Sequence, residues 1–189
     1  MIATILLLVI LAIAVVTDLR WHKIYNWTTY PGILAGIGLN ALATTLETSS
    51  EWGAWLGRMV GGVGLRESLL GLLACGCCML VCFVFFRIGG GDVKLITMLG
   101  AFLGLEQGVE AMLWTFVLGG CVGVILLIWR VGLWKLLTQC VRHLLTSFRA
   151  RGWLPLTPEE RSQLQPPLFI APVSIVAVVI VRFSLQDLI

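Results

Sequence analysis

Six apolar stretches separated by short polar interruptions set the plan of this chain. They run over Ile2–Val16, Tyr30–Leu46, Ser68–Phe86, Asp92–Leu105, Val109–Trp129 and Leu168–Phe183. A membrane-crossing helix needs about 20 mostly apolar residues. The first and fourth stretches fall short of that, as spans do when they thin the bilayer or sit inside a bundle. Between the second and third, Glu47–Glu67 sets Trp52, Trp55, Leu56, Met59 and Val60 among charges. That pattern predicts a short helix on the outer interface, where tryptophans settle. In the loop 131–165, Trp134, Leu137, Val141, Leu144 and Phe148 recur at helical spacing, with Lys135, Gln139, Arg142 and Arg149 on another face. This reads as a basic amphipathic helix on the inner leaflet surface. Pro166-Pro167 stops any helix before the last stretch.

Composition fixes the class. Of 189 residues, 59% are hydrophobic and only 12% charged, against about 25% charged in a soluble domain. The expected fold is all-α: a polytopic membrane bundle of about six spans, one transmembrane domain over residues 1–189. Met1–Val16 lacks the basic start and small-residue cleavage site of a signal peptide, so it reads as the first span. The charges orient it. With the N-terminus outside, ten of the thirteen Lys and Arg residues fall on the inner side and only Arg58, Arg66 and Arg182 outside, in keeping with the positive-inside rule. Asp18 and Asp92, which took no part in that count, then face the same cytoplasmic side.

Four of the six cysteines, Cys75, Cys77, Cys78 and Cys82, crowd one apolar stretch. Metal sites want paired Cys-x-x-Cys elements in polar loops, and these cysteines read instead as small packing residues. Gly32/Gly36, Gly57/Gly61, Gly100/Gly104 and Gly119/Gly123 repeat at the four-residue spacing that lets membrane helices approach closely. Packing within the bundle is the expected use.

The candidate chemistry lies in Arg87-Ile88-Gly89-Gly90-Gly91-Asp92-Val93-Lys94-Leu95, which interrupts two apolar runs. A carboxylate in such a place costs about 2.5–3.5 kcal/mol on insertion scales, so a chain that keeps one has a use for it. Glycines there let other groups approach closely. A second carboxylate, Asp18, closes the first stretch at Asp18-Leu-Arg-Trp-His-Lys-Ile-Tyr-Asn26. Two carboxyls within a few Å hold one proton between them more readily than two charges. Such a pair supplies a base to activate water against an amide and an acid to protonate the carbonyl oxygen. Neither a metal nor a cofactor is required.

These residues resemble the prepilin peptidases, or type IV leader peptidases, which are membrane aspartic proteases with a Gly-x-Gly-Asp motif. Gly89-Gly90-Gly91-Asp92 matches that motif, and Val93-Lys94-Leu95 continues it as the family often does. The family's first aspartate ends the first helix, a few residues before Ile-Pro-Asn. Asp18 and Ile24-Tyr25-Asn26 stand there, with tyrosine in place of proline. The resemblance implies a catalytic pair, Asp18 and Asp92, with Gly89, Gly91, Lys94 and Asn26 binding substrate or positioning the loops. Lys94 either holds its loop at the headgroups or steadies a charged carboxylate. Asn26 bonds the Asp18 loop or substrate backbone, or forms a turn. The implied substrate is a type IV pilin or pseudopilin precursor, cut behind a short basic leader at the cytoplasmic face of the inner membrane. The only other partner expected is the bilayer, with no nucleic acid. Leu19–Thr29 leaves no room for the insertion that accompanies methylation in many relatives, so a peptidase without methyltransferase is expected. Pro172 and the apolar run behind it resemble the family's proline-containing last helix, beside the active site.

The main alternative is a small transporter or channel using Asp92 as a cation or proton site. It calls for polar residues along a whole path, and the second, third and fifth stretches offer almost none. A structural relative that only binds pilins sits poorly with two intact aspartates. Presenilin-like proteases share Gly-x-Gly-Asp but draw the partner aspartate from a later, longer set of helices.

Overall fold

The apolar stripes fold as helices in a computed structural model, which describes residues 2–21, 23–49, 51–60, 62–86, 88–132, 138, 141 and 170–183. The helices are α1 (Ile2–Trp21), α2 (Asn26–Ser49), α3 (Glu51–Val60), α4 (Leu65–Phe86), α5 (Gly90–Val131) and α6 (Ile170–Arg182). Among the described residues there is no strand. Three helices, α1, α4 and α5, are long and apolar enough to cross a membrane. The protein is an all-helical membrane bundle. Two compact units divide the chain, Met1–Val117 with Phe169–Ile189, and Leu118–Leu168. The candidate site belongs to the first. The described part of the second is chiefly the C-terminal portion of α5. The amphipathic helix expected in the loop 131–165 lies outside the described residues, apart from isolated positions, as do His22, Arg87 and Pro166-Pro167.

On α1 the buried positions are Ala3, Leu7, Leu11, Ala14 and Asp18. Their spacing of three and four is one face of an α-helix, so Asp18 is the last member of the core stripe. The helix runs past Val16 to Trp21 because this buried face carries it on. On α5, Leu95, Ile96, Leu99 and Phe102 join the same core, with Met79 and Cys75 from α4 and Ala171, Val178 and Val181 from α6. Asp92 precedes Leu95 and Ile96 by three and four residues, and so begins that buried face.

The candidate span Gly90–Trp129 has 40 residues, about twice what a bilayer core needs. It is not straight. Gly104 has φ 81 and ψ −169, outside helical values, a conformation glycine adopts without steric cost. A methyl group on Gly108 would lie 2.9 Å from the Gly100 Cα. Eight residues of straight helix would separate the two by about 12 Å, so the chain doubles back at Gly104. The expected fourth and fifth stretches are therefore two arms joined by a one-residue break, tighter than the gap at Leu105–Val109 suggested. A side chain on Gly71 of α4 would overlap the backbone at Gly100 and Gly104. The Gly100/Gly104 spacing thus serves packing inside the bundle, as does Gly32/Gly36, where Gly32 meets Met98 and Gly36 meets Phe102.

Breaking a helix in apolar surroundings orphans backbone carbonyls. Ala101 C=O, whose helical donor would be the N–H of Leu105, instead accepts from Asn40 Nδ2 at 3.0 Å and Ser68 Oγ at 2.6 Å. Asn40 is fully buried. Its Oδ1 also takes the N–H of Val63 at 2.8 Å, so one amide joins α2, α5 and the α3–α4 linker. The short helix expected within Glu47–Glu67 is α3, which packs on α2.

At the other end of α6, Arg182 donates to Thr4 Oγ1 of α1 at 2.9 Å and to Gln107 Oε1 of α5 at 3.1 Å. This runs α6 antiparallel to α1 and directs Pro172, in the first turn where proline is tolerated, toward the Asp18 end. The cysteines behave as packing residues in part: Cys75 is buried against Gly100 and Gly108, whereas Cys77, Cys78 and Cys121 are exposed.

Asn40→Leu leaves the Val63 N–H without its acceptor and removes one donor from Ala101. An orphaned backbone group of this kind costs about 1–3 kcal/mol. The expected outcome is a lower unfolding midpoint in detergent, followed by circular dichroism.

Candidate active site

Three helix ends meet at one end of the bundle: the C-terminus of α1 and the N-termini of α2 and α5. α2 and α5 run parallel there, with Asn26 against Lys94, Gly32 against Met98 and Gly36 against Phe102 in succession. The connection from α1 to α2 is short, and the edge-on contact of Trp21 with Tyr25, ring centroids 6.2 Å apart, holds its two ends. Tyr25 C=O receives the N–H groups of Thr28 and Thr29 at 3.1 and 3.4 Å, which starts α2. That task belongs to the carbonyl, which a proline at this position would equally carry.

The N-terminus of α5 is built by the glycine triplet. Gly89 C=O accepts the N–H of Asp92 at 3.1 Å and of Val93 at 3.3 Å. A methyl group on Gly89 would stand 2.8 Å from Asp92 Oδ2, and one on Gly91 would stand 3.0 Å from Ile24 Cβ. On Gly90 it would meet nothing closer than Phe83 Cε2 at 3.9 Å, an ordinary contact. The two outer glycines are therefore held to hydrogen side chains, one by the carboxylate and one by the α1–α2 loop. The middle position is sterically free.

These elements enclose an open cavity of about 350 Å³. Asp18 and Asp92 both line it, with Gly89 and Gly91 from the triplet and Lys23, Ile24, Tyr25 and Asn26 from the α1–α2 loop and the start of α2. Asp18 is buried, at 8% exposure, and Asp92 half-buried. The two carboxyls, 74 residues apart in sequence, are close enough for their charges to interact. Lys94 lies outside the lining. Its Nζ donates to Asn26 Oδ1 at 2.8 Å and sits 4.8 Å over the Tyr30 ring, so it ties the first turn of α5 to that of α2. Lys23 was not singled out as a site residue from the sequence, and Ile24 entered only as part of the Ile24-Tyr25-Asn26 match. Ile24 could have been found as the one apolar side chain in a polar loop, whereas Lys23 carried no distinguishing signal. Among the described residues no cluster of His, Cys, Asp and Glu is arranged to hold a metal ion.

The family model described as the type IV leader peptidase family matches residues 5–124, well over half of the chain. The chain belongs to the type IV leader peptidase family. Neither a curated protein nor a solved structure matches it. The matched region contains all but the first three residues of α1, both ends of the α1–α2 loop, the triplet and both aspartates, so it spans every residue that lines the cavity.

Gly90→Ala should leave the unfolding free energy in detergent almost unchanged, within about 0.5 kcal/mol. Gly91→Ala should lower it by about 1–3 kcal/mol through overpacking against Ile24. Equal effects at both positions would contradict the geometry.

Proposed function

We propose that this membrane peptidase is an aspartic endopeptidase, with Asp18 and Asp92 as its catalytic pair. It removes the short basic leader from type IV pilin-like precursors at the cytoplasmic face of the inner membrane. The observation that carries the reading is that two carboxyls from distant helices line one open cavity at a helix-end junction. A solvent-accessible pocket beside an apolar bundle suits a substrate whose leader is outside the membrane and whose mature part stays within it.

With one proton between the pair, one carboxylate is charged and the other protonated. The charged one takes a proton from water as the water oxygen bonds to the scissile carbonyl carbon. The protonated one gives its proton to the carbonyl oxygen, forming a tetrahedral diol. Collapse of the diol returns a hydroxyl proton to one carboxylate, the nitrogen takes a proton from the other, and the C–N bond breaks. The new carboxyl and amine leave, and the pair again holds one proton. Gly89 keeps the space that the Asp92 carboxylate needs. Lys94 and Asn26 fix the loop that bears on the cavity.

The positive-inside count supports a cytoplasmic cavity, and counting the two arms of α5 separately supports six spans with the N-terminus outside. The direct α1–α2 connection supports a peptidase without a methyltransferase insertion. A transporter reading needs a polar path, and the buried stripes that end in Asp18 and begin with Asp92 continue into the bundle as Leu7, Leu11 and Ala14 on α1 and Leu95, Ile96 and Leu99 on α5.

Purified protein incubated with a prepilin in detergent gives a mobility shift on cleavage. Asp18→Asn and Asp92→Asn should each slow it by about 10²–10⁴-fold with the fold retained. Cleavage at the wild-type rate in either variant would remove that residue from the mechanism. The rate should fall at both extremes of pH, since double protonation removes the base and double ionisation the acid. Gly89→Ala is expected to keep its unfolding midpoint, because the clash is with a movable side chain, yet to lose most of its activity as the Asp92 carboxylate is displaced.

A further inference from the structure

Thr29 is buried, at 1% exposure, and its hydroxyl has no hydrogen-bond partner among the described residues. Other helical hydroxyls behave differently. Thr17, Thr97, Thr115 and Ser174 each turn back onto a carbonyl three or four residues earlier. The carbonyl four residues before Thr29 is that of Tyr25, which already accepts two N–H groups. A buried polar group without a partner is unfavourable, and such groups are rare in folded proteins.

The position of Thr29 supplies the reason to keep it. It follows Asn26, which lines the cavity, by three residues on the same face of α2. It precedes by three residues Gly32, which packs on Ile10 of α1 and Met98 of α5. Thr29 therefore stands one turn beneath the cavity, where α1, α2 and α5 converge. The inward stripe of α1 that ends in Asp18 and the inward stripe of α5 that begins with Asp92 border the same level. Ala14, one turn before Asp18 on α1, and Leu95 and Ile96, one turn after Asp92 on α5, are buried in the apolar core.

We propose that Thr29 is a positioning residue of the peptidase, its hydroxyl donating a hydrogen bond into the Asp18–Asp92 pair, directly or through one water, during cleavage. The donor fixes the orientation of a carboxyl oxygen and so decides which oxygen faces the attacking water. The inference rests on the reading of the two aspartates as the catalytic pair.

The test separates a working hydroxyl from a merely tolerated one. Thr29→Val keeps the shape and removes the orphaned polar atom, so its unfolding midpoint should hold or rise by about 2–4 °C. Its kcat for prepilin cleavage should fall by about 10–100-fold, the effect of losing one hydrogen bond to a charged group, with KM unchanged. Thr29→Ser, which restores the donor, should return kcat to within a few-fold of wild type. Wild-type kcat in Thr29→Val overturns the proposal, as does an equal loss in Thr29→Ser. Should Thr29→Val fail to fold, Thr29→Ala against Thr29→Ser makes the same comparison, and wild-type kcat in the alanine variant overturns it. Asp18→Asn and Asp92→Asn are run alongside. Retained cleavage in those removes the catalytic pair itself, whereas their inactivity with an active Thr29→Val removes only the role of Thr29.

Discussion

Everything at the candidate site depends on the parallel register of α2 against the first arm of α5. Four contacts set it in sequence: Asn26 with Lys94, Gly32 with Met98, Gly36 with Phe102, and Asn40 with the Ala101 carbonyl. The deepest is a buried amide meeting a carbonyl freed by the break at Gly104. In apolar surroundings such a carbonyl has few other donors, so this bond fixes the axial position of both helices. A slip of one residue would turn each side chain by about 100° around its helix. The Asp92 carboxylate would then leave the cavity, and the triplet would lose its fit against Ile24.

Burial and access to the cavity are reconciled by where the stripes end. Asp18 and Asp92 occupy core-facing positions, but at helix termini, where the apolar face runs out into an open cavity. A carboxyl two turns deeper would face Leu, Met and Ala without solvent. One turn further out it would be an ordinary exposed residue, with nothing to bring it to a partner 74 residues away. The glycine triplet contributes by omission. Two absent side chains leave room for a carboxylate and for a neighbouring loop.

Much of this was legible in the residues. Period-3.6 stripes locate the helices, and the interruption at the triplet marks the site. The pairing of Asp18 with Asp92 follows from motif order and the positive-inside count. What escaped the sequence was of two kinds. Isolated polar residues in apolar stretches, Asn40 and Ser68, carry no periodic signal, and both reach the Ala101 carbonyl on another helix; Thr29, just ahead of the second stretch, is no easier to single out. The reversal at Gly104 was hidden because a lone glycine in an apolar run resembles the packing glycines around it, and only its φ separates them. Lys23 and Ile24 line the cavity through the path of a loop, and loop paths follow from the packing of the helices they join.

The Gly104 reversal bears on how the chain is made. Its freed carbonyl is bonded by Asn40 and Ser68, and the backbone it presses against is that of Gly71. All three residues lie N-terminal to the break, so they leave the ribosome first. The second arm of α5 therefore turns against residues that have already been translated, and the exposed peptide group never waits for a partner still to be made.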